Sequence, residues 1–290
     1  MNEITILSGK GGTGKTSISA AFATIATNKV VADCDVDAAN LHLILQPRNS
    51  HEEAYTSGHK AIIDYNQCTQ CGICMDHCRF GAISIQDGQI TIAETSCDGC
   101  MLCSRICPQQ AITMVPNNKS RWYLGDTRFG KMVHARLAPG EENSGKLVNV
   151  VRDQAKILAK QESVETIIID GPPGTGCPVI SSLTGVKKAV IVTEPTNSGF
   201  HDMKRIIELT ANFKVKTYLI INKWDLNPLI SQKIETWAEQ AGIPVVGKLP
   251  FDRQVVDAMV QCKSICEYDP DSQISKEIEK IWETVNSDKL

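Results

Sequence analysis

The run Gly9-Lys10-Gly11-Gly12-Thr13-Gly14-Lys15-Thr16 limits what this chain can fold into more than any other feature. It follows Glu3 to Leu7, whose Ile4, Ile6 and Leu7 read as a strand. It precedes Lys15 to Thr27, rich in Ala and Ser, which reads as a helix. A Gly-x-x-x-x-Gly-Lys-Thr run in that setting wraps phosphate. Its glycines let backbone N–H groups face the anion, and the following helix presents its positive N-terminus. Lys15 is then expected to reach the β- and γ-phosphates, and the Thr16 hydroxyl to bind Mg²⁺. A chance match is the alternative, and the flanking strand and helix argue against it. Val30-Val31-Ala32, ending in Asp33-Cys34-Asp35, adds a second strand, so strand, loop, helix and strand open a parallel α/β sheet.

The pattern breaks after this opening. Pro47 to Lys60 is polar and reads as a linker or a β-excursion, and Ala61 to Val115 is rich in cysteine. Helical spacing resumes at Lys146 to Lys160. Thr166-Ile167-Ile168-Ile169-Asp170, Ala189 to Thr193 and Thr217 to Ile221 are apolar runs of the kind that parallel strands show when buried on both faces, and Val245 to Leu249 is a weaker one. Helical stretches separate them, roughly Gly199 to Ala211, Leu229 to Ala241 and Val255 to Ser264. The alternation predicts an α/β fold: a doubly wound, mostly parallel sheet in two parts, 1–60 and 116–290, interrupted by a small α+β insert over 61–115. Ser275 to Asn286 predicts a last amphipathic helix. Its mixed charges favour packing on the sheet over a membrane anchor.

The insert carries Cys-x-x-Cys-x-x-Cys-x-x-x-Cys twice, at Cys68, Cys71, Cys74 and Cys78 and again, 29 residues on, at Cys97, Cys100, Cys103 and Cys107. Each half ends alike, Gly81-Ala82-Ile83-Ser84-Ile85 against Gln110-Ala111-Ile112-Thr113-Met114, as in an internal duplication. The spacing resembles that of two-cluster bacterial ferredoxins, with Pro108 after the last cysteine; Arg79 stands where the first run often has proline. In such proteins the fourth cysteine of each run serves the other cluster. The resemblance therefore implies two 4Fe-4S clusters, one on Cys68, Cys71, Cys74 and Cys107, the other on Cys97, Cys100, Cys103 and Cys78. Zinc is the competing metal and fits two 2-2-3 runs poorly. His77, between ligands, reads as a surface residue. Asp64, Asp76, Asp87, Glu94 and Asp98 against Arg79 and Arg105 make the insert acidic, which suggests low potentials and a basic redox partner.

Lys10 makes the loop more specific. Lys-Gly-Gly-x-Gly-Lys-Thr resembles the deviant phosphate loop of the MinD/ParA/Mrp superfamily of ATPases, which includes the nitrogenase iron protein. Asp33-Cys34-Asp35 with Asn40-Leu41 resembles its first switch. Asp170-Gly171-Pro172-Pro173-Gly174-Thr175-Gly176 resembles its second. The resemblance implies a catalytic set of Lys10, Lys15, Asp35 and Asp170, with Lys10 reaching across a nucleotide-sandwich dimer and Asp35 orienting the attacking water. It places Mg²⁺ on Thr16, Asp33 and Asp170, has Gly174 sense the γ-phosphate, and has nucleotide held by Gly11, Gly12, Thr13, Gly14, Lys15, Thr16, Ser17, Asn222 and Pro250. For Asp33 and Asp35 the alternative is solvated strand-end acids. Asn222-Lys223-Trp224-Asp225 also matches a guanine-reading run, so Asp225 leaves GTP open. The Leu249-Pro250-Phe251-Asp252 segment and Asn222 favour ATP.

Four cysteines remain. Cys34 is expected in the sheet core, Cys177 as a buried or redox-sensitive thiol, and Cys262 with Cys266, at i, i+4 spacing, on one helix face. Glu141 to Val148 is a further stretch of the resemblance, and Ser144-Gly145-Lys146 reads as a helix start. Twelve cysteines in 290 residues is high, but a disulfide framework belongs to small secreted domains. The net charge of −3 argues against nucleic acid, no apolar run approaches a membrane span, and no signal peptide precedes the first strand. The expectation is a cytoplasmic, Mg-ATP-dependent iron–sulfur ATPase that gates electron transfer to a redox partner. It would act as a homodimer or as a heterodimer with a related ATPase. The alternatives are a cluster carrier or metallocofactor-maturation ATPase serving an apo-metalloprotein, and a MinD/ParA-like positional ATPase.

Overall fold

The computed structural model describes residues 1–56, 58–138, 141 and 144–287; Glu142 and Asn143, within the Glu141 to Val148 stretch, lie outside the described residues. In chain order the strands are β1 Asn2–Ser8, β2 Lys29–Asp33, β3 Arg48–Tyr55, β4 His59–Ile63, β5 Ile83–Gln86, β6 Gln89–Ile92 and β7 Ile112–Pro116. They continue with β8 Ser120–Thr127, β9 Gly130–Arg136, β10 Thr166–Pro173, β11 Lys188–Thr193, β12 Lys216–Asn222 and β13 Val245–Leu249. Nine of them form one sheet in the order β13-β12-β11-β1-β10-β2-β9-β8-β3. Every pair from β13 to β9 is parallel. The chain divides into two compact units, Met1–Glu52 with Tyr123–Ala135 and Ser144–Leu290, and Glu53–Trp122 with Arg136–Asn143.

In the first unit the central strands are buried on both faces, which is why they read as unbroken apolar runs. One face is covered by a core that joins Ile4, Ile6, Phe22, Ile168, Val190 and Ile220 to the last helix, Gln273–Ser287. Ile278, Ile281, Trp282 and Val285 of that helix are buried, and the Phe22 and Trp282 rings lie 5.1 Å apart. Its apolar stripe is therefore spent on the sheet. Among the described residues no helix is long and apolar enough to cross a membrane.

Two local readings need correction, and a third is decided. The stretch from Lys119 to Arg136 carries β8 and β9, where the sequence reading placed no element. Of the two readings of Pro47 to Lys60, the β-excursion stands, with β3 and β4 entering it. The helix expected to reach Ser264 stops at Val260, and Cys262 turns the chain with a left-handed backbone, φ 54°, before a short helix Ile265–Tyr268. Cys262 and Cys266 thus share no helix face. Cys266 is buried, and its thiol is pushed up to about 11 by burial.

The second unit has its own small core of Ala61, Ile63, Cys74, Ile83, Ile90 and Ile112. Around it lie two antiparallel pairs, β4 with β7 and β5 with β6. The duplication extends to the backbone. Left-handed conformations fall at equivalent places in both halves: Gln70 and Gly99, Gly72 and Met101, Gly81 and Gln110. Three of these six are not glycine, and such residues hold that conformation only where surrounding structure imposes it. Gly99 could be nothing else, since a Cβ there would sit 2.1 Å from the His59 carbonyl oxygen.

His134 on β9 is buried, with its Nε2 3.1 Å from Asn49 Oδ1 and its ring stacked on His42 at 5.3 Å and Tyr123 at 4.9 Å. Burial, helped by His42, pulls its pKa from 6.5 down to about 4. Between those values the unfolded chain binds a proton that the folded chain refuses. The stability is complete above pH 6.5 and is lost as pH falls toward 4. Chemical denaturation across that window should show a loss of roughly 2–3 kcal/mol that His134→Gln removes.

Candidate functional site

The site stands where the carboxyl ends of β1, β10 and β2 meet. Strand register pairs Asp170 on β10 with Asp33 on β2, and Ile6 on β1 with Asp170. The two acids are neighbours at the end of the sheet, and the loop leaving β1 passes beside them. Gly12 and Gly14 take positive φ, 80° and 94°. Gly14 caps the helix Lys15–Ile25 without a side-chain hydrogen bond, so that helix start keeps free N–H groups for an anion. A Cβ at Gly14 would come 2.3 Å from Asn222 Nδ2. The buried hydroxyl of Thr13 has no hydrogen-bond partner among the described residues. An unfilled donor inside a glycine cradle fits a phosphate ligand.

Lys15 is buried and donates to Asp170 Oδ1 at 3.0 Å and to Asp35 Oδ2 at 3.3 Å. Burial alone would lower its pKa, but Asp170 and Asp35 outweigh burial and hold it raised. Thr16 donates to Asp170 Oδ2 at 2.9 Å and Ser19 to Asp170 Oδ1 at 2.8 Å. Asp33 accepts the backbone N–H groups of Asp35 and Leu41, both at 3.2 Å. Burial first, and then the charge of Asp170, push the Asp33 carboxyl well up; burial also raises Asp35, against the pull of Lys15. Asp33 and Asp35 are thus buried, not solvated strand-end acids. Thr16 Oγ1 and Asp170 lie together, with the Asp33 and Asp35 carboxyls nearby, and these oxygens are of the kind that surrounds Mg²⁺ and its bound waters, so the residues fit that ion.

The phosphate loop opens into a cleft of about 680 Å³, lined by Gly11 to Ile18, Asp35, Asn222, Lys223 and Leu249 to Asp252. Ser17 and Pro250 belong to this lining, as do Gly11, Gly12, Thr13, Gly14, Lys15 and Thr16. Lys10 does not. Its Nζ lies 2.6 Å from Glu194 Oε1. Asn222 donates to the Thr13 carbonyl at 2.8 Å, and Lys223 donates to the Gly12 carbonyl at 3.0 Å. Asp225 accepts the Phe251 N–H at 2.7 Å. Gly174 has φ 87° and its N–H reaches the Ser8 carbonyl at 2.9 Å, so the second loop lies against the end of β1.

The sequence model of the CobQ/CobB/MinD/ParA nucleotide-binding domain matches residues 4–265. The chain belongs to this family. An uncharacterized protein of Methanocaldococcus jannaschii is 33% identical over 285 residues, covering 97% of this chain and 95% of that one. The septum site-determining protein MinD of Synechocystis is 25% identical over 268 residues, 88% of this chain and 79% of that one. Among solved structures, MinD of Pyrococcus horikoshii complexed with Mg-ADP superposes with a TM-score of 0.57 at 18% identity, over 98% of this chain and 96% of that one. This chain is an ATPase of the MinD/ParA family with a large, mostly parallel sheet.

In the ATPase the eight run cysteines line two cavities of the second unit. One is lined by Cys68, Cys71, Cys74 and Cys107 among apolar neighbours such as Ile63, Ile90 and Ile112. The other is lined by Cys74, Cys78, Cys97, Cys100 and Cys103. Among the described residues no three His, Cys, Asp or Glu side chains are drawn together tightly enough to hold one metal ion. His77 is exposed, with Nδ1 on the Ile73 carbonyl at 2.9 Å. Cys34 is fully buried; Cys177 is exposed and so is not the buried thiol that was one reading.

Sequence reasoning missed Ser19, Glu194 and the phosphate-loop contact of Lys223. Ser19 had a signal, lying one helical turn after Thr16. Glu194 had only its place just beyond the end of an apolar strand, where ligands of such sheets gather.

Replacing Lys15 removes the cation that balances three buried acids. Lys15→Ala apo-protein should lose about 3–5 kcal/mol at neutral pH, as when a buried pair is broken. Because the Asp33 and Asp35 values are raised, that loss should grow as pH rises past the ordinary carboxylate value of 3.8 and shrink on acidification. Millimolar Mg²⁺ should raise the variant's melting temperature more than the wild type's; equal shifts would argue that the acids do not face the ion.

Proposed function

We propose that this ATPase binds Mg-ATP beside its phosphate loop, carries two 4Fe-4S clusters in its second unit, and uses the nucleotide cycle to gate electron transfer to a partner protein. The observation that carries this reading is the lining of the two cysteine cavities: Cys68, Cys71, Cys74 and Cys107 in one, and Cys97, Cys100, Cys103 and Cys78, with Cys74 beside them, in the other. That is the pairing the ferredoxin pattern requires. The repeated left-handed backbone supports the same reading, as strain kept in both halves at positions beside the ligands.

When bound, such clusters supply reversible one-electron storage. The chain's own groups do the rest. Phosphoryl transfer needs in-line placement and charge neutralisation. Lys15 and the N–H groups of Gly11 to Thr16 would take the phosphates, Thr16, Asp33 and Asp170 would hold Mg²⁺, and Asp35 would orient water. Triphosphate drawing Lys15 off Asp35 would free that carboxylate for its task. Gly174, hydrogen-bonded to the end of β1, would move the second loop with the γ-phosphate. Asp225 is engaged by the Phe251 backbone and does not line the cleft, which supports ATP over GTP. Cluster delivery is a second reading, favoured by one observation: Cys71 and Cys100 are exposed.

Anaerobically prepared protein should contain about eight iron atoms per chain. Cys78→Ser and Cys103→Ser should each halve that content and abolish the same EPR signal, although they lie in different runs. Reduced protein should pass electrons to cytochrome c, a basic acceptor, at a rate that changes with Mg-ATP while iron content stays constant. Zinc in place of iron would end the cluster reading. Iron lost to an apo-acceptor on adding ATP would favour delivery.

A further inference from the structure

Lys10 is seated in a receptor built by other parts of the first unit. Its Nζ pairs with Glu194 at 2.6 Å and donates to Thr196 Oγ1 and Ser198 Oγ, both at 3.3 Å. The receptor is braced from behind. Thr196 caps the helix Asn197–Asn212 by accepting the Gly199 N–H at 2.9 Å, and a Cβ at Gly199 would lie 2.5 Å from the Glu194 carbonyl oxygen. The phosphate loop is pressed to the same helix, for a Cβ at Gly9 would come 2.5 Å from the Asp202 backbone. Glu194 also holds Lys223 at 3.3 Å, and Lys223 in turn donates to the Gly12 carbonyl.

One carboxylate therefore binds two ammonium groups at the rim of a loop built for a polyanion. Both lysines, against the cost of burial, keep the Glu194 carboxyl below the usual range. A triphosphate needs positive charge there, and every charge that Glu194 neutralises is withheld from it. The arm of Lys10 is long and rotatable, so it can leave the receptor without any change of backbone.

We propose that Glu194 is a positioning residue that stores Lys10 away from the phosphates and keeps Lys223 against the loop, so that release of Lys10 from Glu194 precedes full engagement of nucleotide. This rests on the chain being an ATPase and not on the presence of iron–sulfur clusters, so an iron-free preparation does not bear on it.

The test is steady-state hydrolysis of Mg-ATP by the full chain. Glu194→Gln should raise the rate at subsaturating ATP about five- to tenfold, the span expected for freeing a half-buried ion pair. Glu194→Asp, which keeps the carboxylate, should stay near the wild-type rate. Lys10→Ala combined with Glu194→Gln should show the rate of Lys10→Ala alone, because the gain runs through Lys10. A gain that persists without Lys10, or a Glu194→Gln variant that loses both melting temperature and ATP affinity, would overturn the proposal.

Discussion

Three buried carboxyl groups and one buried ammonium meet at the end of a parallel sheet. Asp33 and Asp170 are fully buried, Asp35 nearly so, and Lys15 lies between them. Left to themselves the acids would repel, and burial would force protons onto them. Lys15 offsets part of that cost, and the hydroxyls of Thr16 and Ser19 satisfy Asp170. The balance is incomplete by one or two charges. A site so poised gains from a divalent cation more than a neutral pocket would, and it gains from a triphosphate that gives Lys15 a second anion to hold.

The same acids tie the nucleotide site to the segments that follow them. Asp33 fixes the backbone at Asp35 and Leu41, and the Asp170 carbonyl accepts the Cys34 N–H at 2.8 Å. Any ligand that draws Lys15 off Asp35 alters the charge felt by a carboxyl at the start of the turn Asp35 to Asn40. On the opposite side Lys10, Glu194 and Lys223 form a second charge cluster. The loop is therefore held from both flanks by ion pairs.

The second unit solves a different problem. It is small, and its core is a handful of isoleucines with the thiols themselves among them. Burial raises the Cys74 and Cys103 thiols, and neighbouring thiols add to that rise. Both shifts favour the neutral thiol. The backbone there adopts conformations that Gln70, Met101 and Gln110 would not choose alone.

Much of this was legible in the residues. The phosphate loop, the two cysteine runs and the buried strands are local signals, because glycine freedom, ligand spacing and apolar periodicity act over a few residues. β8, β9 and the break at Cys262 were not legible, since their residues take structure from neighbours far along the chain. Lys10 stood out in the sequence, but its partner did not. Thr196, beside Glu194, is 186 residues away, and the two meet because β11 lies next to β1 in the sheet. The chain alone determined which chemistry the loop and the thiols can perform. Strand order, a property of the whole sheet, decided which charges hold those groups in waiting, because an ion pair is set by distance in space and not along the backbone.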